Sequence, residues 1–340
     1  MARNLSPQMI HMVCNVSRYS EGRLTWNTGI ESRYRPGEAA AAVSSPETKF
    51  LPHTSFLQIT QANLPLIKKK LIELNERLLQ EGNKDICLNP EEVEILETLT
   101  QVLEAKQGPG PTSKATMLAM PTLARIITTW DAAQRLPALD LLRLTAAASP
   151  VPTTYISPGD APATLIDMLD VAGVFDKNQP NNVMLGTRVF VNIFDFSKSR
   201  EFAEQYYERI LQLVLAAAEG TVNKNLKVAV ATLGLKCVLQ QPPSPYIADW
   251  LSYSVLFATK QSTDRAKSLL QYLINAVANE DDPETLFRSM VAVGTLITMG
   301  GDVKKTAVKT YLVRKAVDIA ISKVKELRIQ QIGREITALL

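Results

Sequence analysis

From residue 64 onward, apolar residues recur at three- and four-residue steps, and the steps outline one helix after another. Leu64, Ile67, Leu71, Leu74 and Leu78 form a single stripe that predicts a helix over 64–80. Asn89, Pro90, Glu91 and Glu92 open the next with a capping residue, a proline at the first helical position and early acids; Val93, Leu96, Leu99 and Leu103 are its stripe. GPGPTS (108–113) breaks the chain, and a helix is expected from there to about Trp130. Further helices are expected near 137–148, 161–172, 182–195, 198–219, 223–240, 246–259, 263–279, 284–299 and 303–339, the last divided in two. No long alternating run of β-branched residues appears, so no sheet is expected. Residues 1–49 hold no apolar period, are dominated by Arg, Gly, Ser, Asn and Pro, and close on AAAAVSSPE. They predict a flexible linker with one short helix near Pro7–Ser17, ahead of a helical domain over 50–340.

Many helices of ordinary length joined by short turns suit either a bundle or a solenoid. Three segments separate the two. LDLLRLTAA, MLGTRVFVNIF and LFRSMVAVGTLI each set one arginine (Arg143, Arg188, Arg288) in an otherwise apolar run. The first step is 45 residues and the second 100, matching one and about two units of the roughly 40–47-residue HEAT or armadillo period. Equivalent helices of stacked repeats line one concave face, whereas a bundle gives no reason for the recurrence. An all-α, armadillo/HEAT-like superhelix is the expected fold, although the 146–180 stretch blurs its repeat boundaries.

A guanidinium stays ionised and carries five fixed donors suited to carboxylates and carbonyl oxygens. Placing it among leucines is unfavourable unless those donors are used. Asn192 lies one turn beyond Arg188, and an amide offers the donor and acceptor that an extended backbone needs. Lys224 and Asn225 follow where another helix begins. One reading is a basic groove that clamps an acidic, extended peptide through Arg143, Arg188, Asn192, Lys224, Asn225 and Arg288. The other is internal pairing: Asp140 stands three residues before Arg143, and Glu284 four before Arg288. Arg188 has no acid nearby in its own helix.

Composition narrows the function class. Apolar residues make up 46% and aromatics 6%, and a net charge of +3 is too mild to argue for nucleic acid. Cys14, Cys87 and Cys237 are widely spaced, without metal-site or disulfide-framework patterning. The N-terminus lacks a signal-peptide apolar core, and the apolar stretches 210–218 and 226–239 are too short for a bilayer span of about 20 residues. Cytoplasmic and nuclear placement is expected. Both histidines, His11 and His53, precede the helix predicted over 64–80, and no Walker loop, HExxH or dinucleotide fingerprint occurs. Neither catalysis nor a cofactor or metal is expected. The last forty residues carry nine basic and four acidic side chains, Lys304, Lys305, Lys309, Arg314, Lys323, Lys325 and Arg328 among the basic ones. A solvated outer face explains them, with no nucleic-acid or membrane partner. The alternative is a helical scaffold that binds RNA or anionic membrane through this basic end.

These segments also resemble a known family. From Phe50 to Leu340, RLPALDLLRL (135–144), GTRVFVNIF (186–194), NKNLKVAVATLGL (223–235) and ETLFRSMVAVGTLI (284–297) are similar to the PUL domain of the ubiquitin-binding phospholipase-activating-protein family. FLPHTSFLQITQANLPLIKKKLIELN (50–75) resembles its opening segment, REITALL (334–340) its closing helix, and TGIESRYRPGE (28–38) the linker before it. Gly186, Val189 and the polar TKQSTDRAK depart from the usual pattern. The resemblance implies an armadillo-like adaptor in ubiquitin homeostasis and protein degradation, whose basic concave groove binds the C-terminal tail of the valosin-containing AAA ATPase. By motif, Arg143 and Arg288 correspond to its groove arginines. Family members carry an upstream β-propeller and a ubiquitin-binding PFU domain, and neither lies within these residues. The chain is therefore expected to be a C-terminal fragment or a reduced protein, with ubiquitin contact only through such upstream domains.

Overall fold

The computed structural model describes residues 49–53, 57–106, 109–157, 163–238, 260–298, 301–309 and 312–340. The linker expected over 1–49, all but Lys49, and the helix expected near 246–259 lie outside them. Among the described residues the chain is all-helical, with fifteen α-helices, two short 3-10 turns and no strand. The helices pack chiefly on near neighbours in sequence, as in an α-solenoid. The chain divides into two compact units: residues 58–226 form the first, and residues 49–57 with 227–340 the second.

The first unit opens with α1 (Leu64–Gln80), whose cap is the Asn63 side chain accepting the Leu66 N–H. α2 (Pro90–Glu104) begins with a reciprocal capping box between Asn89 and Glu92. Glu92 also accepts from Arg125 of α3 (Pro109–Thr129), at 3.1 Å from Nε and 2.5 Å from Nη2. One carboxylate thus fixes both the start of α2 and its neighbour. Within the GPGPTS segment, expected as a break, the residues from Pro109 onward instead supply the first turn of α3. Proline is tolerated there because first-turn N–H groups have no intrahelical acceptor.

α4 (Leu136–Ala148), the single turn α5 (Val151–Thr154), α6 (Leu165–Val171) and α7 (Pro180–Asn192) follow, and α7 ends in a 3-10 turn over Ile193–Asp195. α4 and α7 pack on one another and are buried on every side, from Leu136 to Ala147 and from Asn182 to Asn192. Their junction with α3 and α6 is gathered by Arg135. Its guanidinium donates to the carbonyls of Ile127, Ala172 and Gly173 and, at 2.8 Å, to Asn182 Oδ1. Gly186 is explained by close approach, since a Cβ there would stand 2.7 Å from Val174 and 3.0 Å from the Phe175 ring.

The helix expected over 198–219 is two, α8 (Ser197–Gln205) and α9 (Tyr207–Ala218), parted at Tyr206, whose φ of −106° and ψ of 16° leave helical geometry. The apolar stripe continues through Phe202, Ala203, Tyr207, Ile210 and Val214, so periodicity does not mark the break. α10 (Lys224–Val238) starts under the Asn223 side chain, which accepts the Leu226 N–H at 3.1 Å. The division between the units falls within this helix.

The second unit holds α11 (Lys260–Asn279), α12 (Pro283–Thr298), α13 (Gly301–Lys309), α14 (Leu312–Lys323) and α15 (Leu327–Leu339). The expected terminal pair is three helices. The α14–α15 corner is closed by Gln330, whose amide donates to the carbonyls of Ile321 and Val324. α12 is the third helix buried on every side, from Thr285 to Ile297, and packs on α11 and α15. Leu51 belongs to this core and lies against Gly294, where a Cβ would meet its Cδ1 at 2.3 Å. No single described helix is long and apolar enough to cross a membrane.

Candidate functional site

The three helices marked in the sequence by a lone arginine are α4, α7 and α12, the three buried on all sides. A helix apolar around its whole circumference is driven inside, and it takes its arginine along. Arg143 and Arg288 are each 2% exposed and Arg188 is 7% exposed. A guanidinium so placed must find acceptors within the fold.

In the first unit, Arg143 donates from Nε to Asp140 Oδ1 at 2.5 Å, from Nη1 to the Ile59 carbonyl at 2.6 Å and from Nη2 to the Gln61 carbonyl at 2.8 Å. Asn192, fully buried, holds the same segment. Its Oδ1 accepts the Ile59 N–H at 2.8 Å, and its Nδ2 donates to the Ile59 carbonyl at 2.9 Å and the Arg143 carbonyl at 2.8 Å. The N–H and C=O of one residue turn to the same side only when the backbone is extended. Asn192 and Arg143 therefore form a clamp for extended backbone, occupied by the chain's own residues 59–61. Gln58 extends it, donating to the Ala147 carbonyl at 3.0 Å and to Asp195. Lys224 and Asn225 are exposed in the first turn of α10.

In the second unit, Arg288 donates from Nε to Glu284 Oε1 at 2.7 Å and from Nη1 to Thr232 Oγ1 at 2.6 Å. Arg328 of α15 reaches the other Glu284 oxygen at 2.6 Å and lies 4.9 Å from the centre of the Phe287 ring, a cation–π distance. Burial pushes the Glu284 carboxyl up, but the Arg288 and Arg328 guanidiniums outweigh it and hold the group below the ordinary carboxylate range. Phe50 packs edge-on against Phe287 with ring centres 5.1 Å apart, and Glu335 accepts the N–H groups of Phe50 and Leu51.

The sequence placed Asp140 and Glu284 beside Arg143 and Arg288, and both ion pairs form. Arg143 and Asn192 are brought together on one segment, and Arg188 occupies α7 one turn before Asn192. Sequence reasoning missed the occupant of the clamp. It missed Arg135 too, which stands at a helix start without an apolar frame, and Glu335, whose partners lie 284 and 285 residues away. Among the described residues, no group of three or more His, Cys, Asp or Glu could hold a metal ion.

Comparison with known proteins returns one family, described as the PUL domain, over residues 51–335. The chain is 24% identical over 281 residues to the ubiquitin homeostasis protein lub1 of Schizosaccharomyces pombe, covering 81% of this chain and 33% of that protein. It is 24% identical over 249 residues to the phospholipase A-2-activating protein of Xenopus laevis, covering 73% of this chain and 28% of that one. The chain thus spans about a third of the length of these curated relatives.

Proposed function

The chain belongs to the PUL domain family, and from that membership we propose that it is a non-catalytic adaptor in ubiquitin-dependent protein turnover. Its partner in this reading is the acidic C-terminal tail of the valosin-containing AAA ATPase, with ubiquitin reached through domains outside these residues. It acts in the cytoplasm and nucleus, which imaging of the tagged chain checks; confinement to another compartment would refute that placement. The relatives named for ubiquitin homeostasis and phospholipase activation support the adaptor role.

The observation that carries the tail-binding reading is the clamp. Arg143 and Asn192 offer guanidinium and amide groups in the arrangement that grips extended backbone, and they grip residues 59–61. An extended tail presents the same carbonyls and N–H groups, so tail and internal segment compete for Asn192 and Arg143. Lys224 and Asn225 meet the tail from an exposed helix start, where the partial positive charge of the first turn also favours an anion. Arg188 in α7, and Arg288 in α12 of the second unit, are the remaining residues of this reading.

Calorimetry with a synthetic tail peptide tests the proposal. Charged hydrogen bonds contribute about 1.5–3 kcal/mol each, so loss of one weakens binding by roughly 10- to 150-fold. Lys224→Glu, at an exposed position, is expected to lose affinity within or beyond that range. Arg143→Lys and Arg288→Lys, compared with the wild type only after thermal melts show folded protein, are expected to fall in it. Full affinity in all three variants removes tail binding at these residues.

A further inference from the structure

The surface of α13 and α14 goes beyond the tail-binding reading and shares no residue with it. Residues 301–323 contain six basic side chains and two acidic ones, Asp302 and Asp318. Lys304, Lys305, Val308 and Lys309 fall at helical spacing on one exposed face of α13, while Val303 and Ala307 are buried. Leu312, Arg314, Lys315 and Asp318 are exposed on α14, which buries Val313, Ala316, Val317 and Ala320. Lys309 and Leu312 are three positions apart in sequence, so their Cα atoms are at most about 11 Å apart by chain geometry.

Of the carboxylates nearby in sequence, Asp318 is exposed on α14 among these cations, so the face keeps a basic excess without being free of acid, while two others are used elsewhere. Glu326 pairs with Arg328, and Glu335 takes the Phe50 and Leu51 N–H groups. Among the described residues, Lys304, Lys309, Arg314 and Lys315 enter no ion pair. Between these cations stand two aliphatic side chains, Val308 and Leu312, 43% and 44% exposed.

We propose that the α13–α14 face docks on an anionic lipid bilayer, with its lysines and Arg314 among the headgroups and Val308 and Leu312 entering the boundary beneath them. The charge pattern is complementary to an acidic leaflet. The exposed aliphatics decide between anions: a lipid surface rewards burying Val and Leu, whereas single-stranded RNA is held by aromatic stacking, and Tyr311 is the one aromatic residue between 301 and 323. A basic side chain near such a surface strengthens binding about fivefold.

The experiment is co-sedimentation of the full chain with phosphatidylcholine vesicles, with and without phosphatidylserine at about one lipid in three. Binding is expected only with phosphatidylserine and is lost as salt rises to about 0.5 M. Lys304→Glu/Lys309→Glu/Lys315→Glu lowers affinity by about a hundredfold or more. Val308→Ser/Leu312→Ser leaves every charge in place and lowers it about tenfold. Both variants change exposed positions, and unchanged thermal melts show that the fold persists. Absence of binding to phosphatidylserine vesicles overturns the proposal. So does indifference to the serine pair, which would mark a purely ionic site, or displacement from vesicles by equimolar single-stranded RNA. Tail-peptide calorimetry reads a different set of residues, so either proposal can fail alone.

Discussion

At Asn192 one amide satisfies three backbone groups, the N–H and C=O of Ile59 and the C=O of Arg143, with no water-exposed surface. Such a residue matters most when it is removed, because each buried polar group left unpaired costs about 1–3 kcal/mol. Asn192→Ala is expected to destabilise the protein by about 2–4 kcal/mol, read as a lower urea midpoint. A loss below about 0.5 kcal/mol, the level of an ordinary surface substitution, would show that solvent replaces these bonds. The sequence marked Asn192 as a group able to pair with extended backbone, because that chemistry depends only on residue type and on the helical step from Arg188. Its occupant was not legible: Ile59 lies 133 residues away, and nothing local in QITQAN announces where its backbone groups go. Gly294 and Gly186 are similar cases. Each stands in a good helical pattern, and the reason for the missing side chain lies in Leu51, or in Val174 and Phe175.

At the scale of elements, Glu284 ties α12 to α15. It accepts from Arg288 one turn along its own helix and from Arg328 across the packing interface. Its carboxyl is held below its ordinary range in the folded state, and in the unfolded chain it returns to about 4.3. A depressed folded value contributes stability that is present above the unfolded value and lost as pH falls through the folded one. Glu284→Gln removes the titrating group, so the variant is expected to be less stable at neutral pH and to approach the wild type as pH falls below about 4. Urea melts at a series of pH values measure this; a constant gap between the two proteins across the acid range would assign the acid sensitivity to other groups. The helices themselves were largely legible. The Leu64–Leu78 stripe and the Asn89 capping box fix their elements because caps and periodicity are local. The break at Tyr206 escaped notice because the apolar period runs on through it; of the two divisions within 303–339 only one was expected, and its place at 324–326 was not legible because a glutamine reaching back to two carbonyls closes that corner.

For the molecule as a whole, the recurrence of one arginine per buried helix correctly pointed to a helical-repeat fold. The physics behind it has a second aspect: helices sealed on all sides hold their cations against internal acceptors, Asp140 for Arg143 and Glu284 for Arg288. A lone charge in an apolar run therefore identifies an inner helix more directly than it identifies a ligand contact. Motif likeness supplied the family, and the match over residues 51–335 bears it out; nothing in composition alone would have led there.

The Ile59 amide has a further use. It lies outside every helix, yet its proton is buried and bonded to a side chain, so in deuterated solvent it should exchange far more slowly than a loop proton ordinarily does. That makes it a built-in gauge of the clamp. If added tail peptide displaces residues 59–61, deuterium will enter at Ile59 while the amides within α4 and α7 keep their protection. If binding leaves the Ile59 rate unchanged, the peptide has settled elsewhere.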